Sequence, residues 1–141
     1  MPETPAVIYW DSSAIISALF KDAKSRKAKR FAEQDALHVL TTLSYAEVSA
    51  VIYRMKREHV LTEVLSQSAV EVLDRGPWLR ISISPAWPLI HKLARKHSLR
   101  GADLWHLAAA LTLKNEFSEI MLLTFDQRLR AASEEAGLNV E

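Results

Sequence analysis

The chain has 141 residues and no cysteine, so it can form no disulfide and offers no thiolate to a soft metal. That absence fits a reducing, cytoplasmic setting. Glycine is scarce as well. Gly76, Gly101 and Gly137 are the whole set, and none belongs to a phosphate-cradling loop or a dinucleotide fingerprint. No apolar run approaches the length of a membrane span, so no membrane contact is expected. The N-terminus has no basic region followed by a long apolar stretch, and no secretory signal is read there. Net charge is only +1 with the histidines neutral, so the charge of the chain as a whole does not announce a nucleic-acid binder. Repeats, linkers and low-complexity segments are also missing. The composition, 49% hydrophobic and 25% charged, is that of one globular domain over residues 1–141.

What is present is organised around Ala6-Val7-Ile8-Tyr9-Trp10-Asp11-Ser12-Ser13. An unbroken apolar, β-branched and aromatic run of this kind reads as a strand buried on both faces, with helices on either side of a parallel sheet. The strand ends at Trp10 or Asp11. Asp11 then falls at the carboxyl end of the strand, the edge where open α/β sheets bind their ligands.

Helical spacing follows over Ser13–Phe20 and, after a basic first half, over Lys21–Gln34. His38–Thr42 reads as a second strand. Ser44 is expected to open a helix running to about Glu58, and Leu61–Arg75 forms another amphipathic helix that Gly76-Pro77 stops. Leu79–Ile83 alternates as a strand nearer an edge. Pro85 and Pro88 bracket the start of a helix reaching about His97, and Gly101 breaks the pattern. Asp103 opens an apolar helix, Leu104–Leu113. Ile120–Phe125 is a second wholly apolar strand that also runs into an aspartate, Asp126. Gln127–Ala136 is the final helix, capped by Gly137, and Leu138–Val140 reads as a last edge strand. Strands alternating with helices predict a three-layer α/β fold whose mostly parallel sheet has four to five strands.

Four acids therefore start an element that follows a strand or a breaker: Asp11, Glu47, Asp103 and Asp126. Topology brings Asp11, Glu47 and Asp126 to the carboxyl edge, and Asp103 joins them if its helix points its N-terminus there. Each also has an ordinary structural role. Ser44-Tyr45-Ala46-Glu47 fits a capping box, Asp103 and Asp126 fit helix N-caps or first turns, and Asp11 fits a turn. Taken together they point elsewhere, because converging carboxylates repel one another and raise each other's pKa. If the four meet, Mg²⁺ or Mn²⁺ is the economical counter-charge, since hard cations take oxygen ligands and keep several waters. Ser12, Ser13 and Thr124 flank the acids and can hydrogen-bond a ligating carboxylate or a metal-bound water, although caps and turns are the commoner use of such hydroxyls.

The chain resembles the PIN-domain proteins, and among them the VapC-type toxins of toxin–antitoxin pairs. The carriers are Val7–Ile15, Ser44–Val48, Ala102–Ala110 and Leu123–Leu129, in that order and at that spacing. The resemblance implies a PIN-like fold with the four acids meeting at one site, and Mg²⁺- or Mn²⁺-dependent cleavage of RNA. It implies a homodimer and inhibition by an antitoxin protein. It also implies that Asp11 and Asp103 are the principal metal ligands, that Glu47 and Asp126 support them, and that His106 packs against or backs the site. Asp126 occupies the position that varies most within the family.

A metal-dependent hydrolysis needs no Ser/His/Asp array, and none is evident; His38, His59, His91 and His97 read as surface or packing residues. An acidic site must draw a polyanion through basic surroundings. Lys24, Lys27 and Arg30, within the cluster Lys21–Arg30, are the expected RNA-binding residues, with Arg54–Arg57 and Lys92–Arg100 as further basic groups. Trp78, Trp87 and Trp105 are candidates for a dimer or antitoxin surface, with core packing the stronger account of Trp105; Trp10 reads as core. Two alternatives remain in view: a non-catalytic PIN-like module that binds RNA or a partner, and a phosphoryl-transfer enzyme on a similar sheet. A dehalogenase-like enzyme wants a second aspartate where Ser13 stands, and a receiver-like domain wants paired acids that His38–Thr42 lacks.

Overall fold

In the computed structural model, which describes residues 6–141, side chains of the first strand alternate between two separate cores. That strand is β1 (Val7–Trp10). Val7 and Tyr9 enter one cluster, and Ile8 and Trp10 the other. Because strand side chains alternate, an unbroken apolar run has to be covered on both faces.

The remaining elements are α1 (Ser12–Leu19), α2 (Ser25–Ala32), β2 (Leu37–Thr41), α3 (Thr42–Arg57), α4 (Glu63–Arg75), β3 (Trp78–Ile81), α5 (Trp87–Lys96), α6 (Gly101–Lys114), β4 (Met121–Leu123) and α7 (Gln127–Glu135). The sheet order is β3-β2-β1-β4, and all three pairings are parallel. Residues of α1 to α4 build the core over Ile8, Trp10, Leu40 and Leu123, while residues of α5 to α7 build the core over Tyr9, Val39 and Leu122. This is the expected three-layer α/β architecture.

The chain steps from β1 outward to β2 and β3, then returns to place β4 on the other side of β1. The order reverses at β1, so the carboxyl ends of β1 and β4 flank the crevice that such a switch creates. Register puts Trp10 opposite Leu123, and Asp11 N–H donates to the Leu123 carbonyl at 3.2 Å. Asp11 and Thr124 thereby become neighbours.

Several expectations need correction. Helix α3 starts at Thr42 rather than Ser44. Thr41, still extended at the end of β2, is the N-cap, and its hydroxyl accepts from Ser44 N–H at 3.2 Å. Ser44 donates instead to the Trp10 carbonyl at 3.2 Å, so Ser44 and Glu47 form no capping box. Gly101 does not break the helix but begins it, with Arg100 as the residue before the first turn. A Cβ there would meet nothing within 4 Å. Leu138–Val140 contributes a single bridge, Met121 to Asn139, rather than a strand. Leu138 is drawn into the core, and Gly137 turns the chain there with φ 94°. The basic helix α2 begins only at Ser25, because Asp22 and Ser25 tie the preceding turn together: Asp22 N–H donates to Ser25 Oγ at 2.8 Å. Trp78 is no surface residue. It is buried edge-on against Trp10, with ring centroids 5.4 Å apart.

Candidate active site

Asp11 sits just beyond β1 as the N-cap of α1 and is only 2% exposed. Burying a carboxylate is expensive unless donors surround it. Here they do. Oδ1 accepts from Ala14 N–H at 2.9 Å and from Ser13 Oγ at 2.7 Å, and Oδ2 accepts from Thr124 Oγ1. Those two hydroxyls are themselves held, since Ser13 Oγ accepts from Phe125 N–H at 3.0 Å and Thr124 Oγ1 from Asp126 N–H at 3.1 Å. The network thus joins the end of β1 to the loop after β4. Burial pushes the Asp11 carboxyl above the usual carboxylate range, against the pull of Thr124, Ala14, Ser13 and His106. Ser12 takes no part in the hydrogen bonds around Asp11.

Asp103 lies in the first turn of α6 and is half-buried. Its pKa is also raised, first by burial, then by the negative charges of Asp126 and Glu47; His106 and Arg100 act in the opposite sense. Asp103, in the first turn of α6, lies within electrostatic reach of Asp126 and Glu47, and Asp11 reaches the loop before Asp126 through Thr124. A cleft of about 270 Å³ is lined by Leu99, Arg100, Asp103, Asp126, Gln127 and Arg128.

Asp126 is an N-cap as well. Its Oδ1 accepts from Leu129 N–H at 2.9 Å, so the ordinary role holds at this position alongside its place on the cleft. Glu47 is held from behind. His106 Nε2 lies 2.7 Å from Glu47 Oε1, and His106 Nδ1 lies 2.6 Å from the Tyr9 hydroxyl. A carboxylate only accepts, so Nε2–H donates to Glu47 and Nδ1 accepts from the phenol. The phenol remains a donor, because burial and the nearby charges of Asp11 and Glu47 raise its pKa. This Tyr9–His106–Glu47 chain runs from the buried sheet to the site. Sequence reading gave His106 a backing role but passed over Tyr9. The available signal was a tyrosine in an otherwise aliphatic buried strand, whose hydroxyl must find a partner.

Among the described residues, no three His, Asp or Glu side chains close on one point as a ready-made metal cage. The donor set still fits a hard divalent cation. It is all carboxylate, it lacks sulfur, and both nitrogens of the nearby imidazole are engaged elsewhere. Mg²⁺ asks for one or two carboxylates and fills the rest of its shell with water.

The expected RNA-binding residues lie on or before α2 and do not line this cleft. Lys24 and Arg30 are exposed, while Lys27 is paired with the carboxylate of Glu141, which is also ion-paired with Arg130.

The family model for the PIN domain matches residues 8–135. The chain belongs to the PIN-domain family. Ribonuclease VapC45 of Mycobacterium tuberculosis is 31% identical over 137 residues, which cover 95% of this chain and 94% of that protein. Among solved structures, VapBC2 from Rickettsia felis, bound to a DNA fragment from their promoter, matches with a TM-score of 0.64 at 15% identity, covering 96% of this chain and 97% of the other. VapBC-1 from nontypeable Haemophilus influenzae matches with a TM-score of 0.64 at 19% identity, covering 96% of each. At those identities the two structures bear on fold alone.

Proposed function

We propose that this PIN-domain protein is a divalent-metal-dependent endoribonuclease and the toxin of a type II toxin–antitoxin pair. One observation carries the reading: Asp103 and Asp126 line one open cleft, with Glu47 adding negative charge and His106 and Arg100 adding positive charge at Asp103. A cation makes that grouping tolerable. The likeness to Ribonuclease VapC45, over nearly the full length of both chains, supports RNA as substrate and the toxin role. An antitoxin protein as partner goes with the toxin role, and the chain shares its fold with the VapBC proteins. A homodimer and a cytoplasmic location complete the reading.

Asp11 and Asp103 would hold the Mg²⁺ or Mn²⁺, with Glu47 and Asp126 supporting them. The metal, when bound, neutralises phosphate charge and acidifies the attacking water. The residues of the chain do the rest. Thr124, Ser13 and Ala14 N–H fix both oxygens of Asp11, so it needs no reorganisation when charge develops. His106 aims Glu47, and Tyr9 sets the tautomer of His106. Arg100 and Arg128, on the wall of the cleft, place positive charge where a phosphodiester would enter.

The test is incubation of purified protein with RNA and Mg²⁺ or Mn²⁺, beside Asp11→Asn and Asp103→Asn. Cleavage by the wild type alone, lost on adding chelator, is expected. Equal cleavage by all three proteins would defeat the reading.

A further inference from the structure

From Arg75 to Ala102 the sequence contains no Asp or Glu, while Arg75, Arg80, Lys92, Arg95, Lys96 and Arg100 fall inside it. Helix α5 stands in the middle of this acid-free run. Its ten residues span about 15 Å. Leu89, Ile90 and Leu93 pack inward. At i, i+4 spacing the outward face carries Trp87, His91 and Arg95, beside Lys92 and Lys96. All five are exposed, and Trp87 is the extreme case at 87%. Between His91, Lys92, Arg95 and Lys96 runs an open groove of about 550 Å³. Among the described residues, no carboxylate pairs with Lys92, Arg95, Lys96 or Arg100.

Part of this has a local explanation. Cations in the last turn of a helix are favoured by its dipole, which covers Arg95 and Lys96. It does not cover Lys92 or a bare indole at the opposite end. Stacking platforms for unpaired bases combine these two elements, an exposed aromatic and a line of cations. Position adds a third. The chain leaves α5 at Lys96 and reaches the acidic cleft through Arg100, which lines it together with Asp103 and Asp126. The cationic line therefore ends where a phosphodiester would be cut.

We propose that the outward face of α5 is the track for single-stranded RNA flanking the scissile phosphate. Trp87 stacks a base, Lys92, Arg95 and Lys96 hold successive phosphates, and Arg100 delivers the strand to the cleft. This inference rests on the endoribonuclease reading for its substrate and replaces α2 with α5 as the principal RNA contact.

The experiment measures binding of a fluorescein-labelled, mixed-sequence single-stranded RNA of about twelve nucleotides to the full chain, with chelator present so that no cleavage occurs. Anisotropy is followed across salt concentrations. The Lys92→Ala/Arg95→Ala/Lys96→Ala variant should bind more than 10-fold more weakly, and its salt slope should shrink by about 2, near 0.7 per lost phosphate contact. Trp87→Ala should lose about 10-fold in affinity with the slope unchanged. The Lys24→Ala/Arg30→Ala variant should bind nearly as wild type. The far-ultraviolet dichroism of every variant should match wild type. Wild-type affinity and slope in the α5 variants would overturn the proposal, as would loss of binding to an acidic partner protein with RNA binding intact. If the α5 variants lose RNA but the wild type cuts none in Mg²⁺ or Mn²⁺, the track stands and the nuclease reading falls. If metal-dependent cutting persists at wild-type rate and affinity in those variants, only the track falls.

Discussion

Asp11 and Asp103 are two carboxylates with the same direction of pKa shift and different surroundings. Asp11 is sealed among three donors, a helix N–H and two hydroxyls, and one of those hydroxyls is tied in turn to the loop after β4. Asp103 stands in a helix first turn at the mouth of a cleft, and acids are among its nearest charged neighbours. The first carboxylate is structural and chemical at once, because the fold uses it to join β1, α1 and β4. The second contributes charge to the site and little to the fold. In the proposed nuclease, Asp11 would be the ligand pre-placed by the scaffold and Asp103 the one that a cation satisfies.

The sharpest way to break that contrast is to remove Asp11. Asp11→Ala deletes an N-cap and strands the Ser13 and Thr124 hydroxyls, and should cost about 3 kcal/mol of stability in urea denaturation as well as all RNA cleavage. An unchanged denaturation midpoint would show that the network does not hold the fold.

Asp103→Asn should reduce cleavage by about 100-fold or more, with no loss of stability at pH 7. The sign follows from the raised pKa. The folded state disfavours ionised Asp103, so wild-type stability falls as pH rises from about 4 through the elevated folded value. Asn removes that penalty. Melting temperatures of variant and wild type should coincide below pH 4 and diverge in favour of the variant toward neutrality. A variant that melts lower at pH 7 would place Asp103 among the structural residues.

Metal addition sharpens the same contrast. Mg²⁺ or Mn²⁺ at about 100 times its dissociation constant should stabilise wild type by about 2.7 kcal/mol, read as a rise in melting temperature. Asp103→Asn should show little of this gain. The smallest effects concern the support behind Glu47. Tyr9→Phe removes the donor to His106 Nδ1 and should slow cleavage by about 10-fold, with the stability change near 1 kcal/mol. A rate equal to wild type would leave Tyr9 a packing residue.

The strands and the two-faced burial of Val7–Trp10 were legible because hydrophobic periodicity is a local property. Helix starts were less so. Thr41, Thr42 and Ser44 are equivalent cap candidates in sequence, and only the Trp10 carbonyl beside Ser44 separates them. The basic residues of α2 and α5 also look alike in composition. What sets α5 apart is the exposed Trp87 beside its cations and the path through Arg100 to the cleft; in α2 Lys27 is taken up by Glu141. Trp78 failed as a surface candidate for a related reason, since a tryptophan at the start of an edge strand gives no sign of which neighbour will cover it.

By itself the sequence determined the alternation of strand and helix, the lack of thiols and of membrane-spanning runs, and the placing of an acid just after each of two buried strands. These follow from side-chain chemistry and spacing along one segment. Tertiary structure alone decided that β4 lies beside β1, that the N-terminus of α6 faces the same edge, and that Tyr9 reaches Glu47 through His106. Those relations join residues separated by most of the chain, and only burial of both sheet faces brings them within a hydrogen bond of one another.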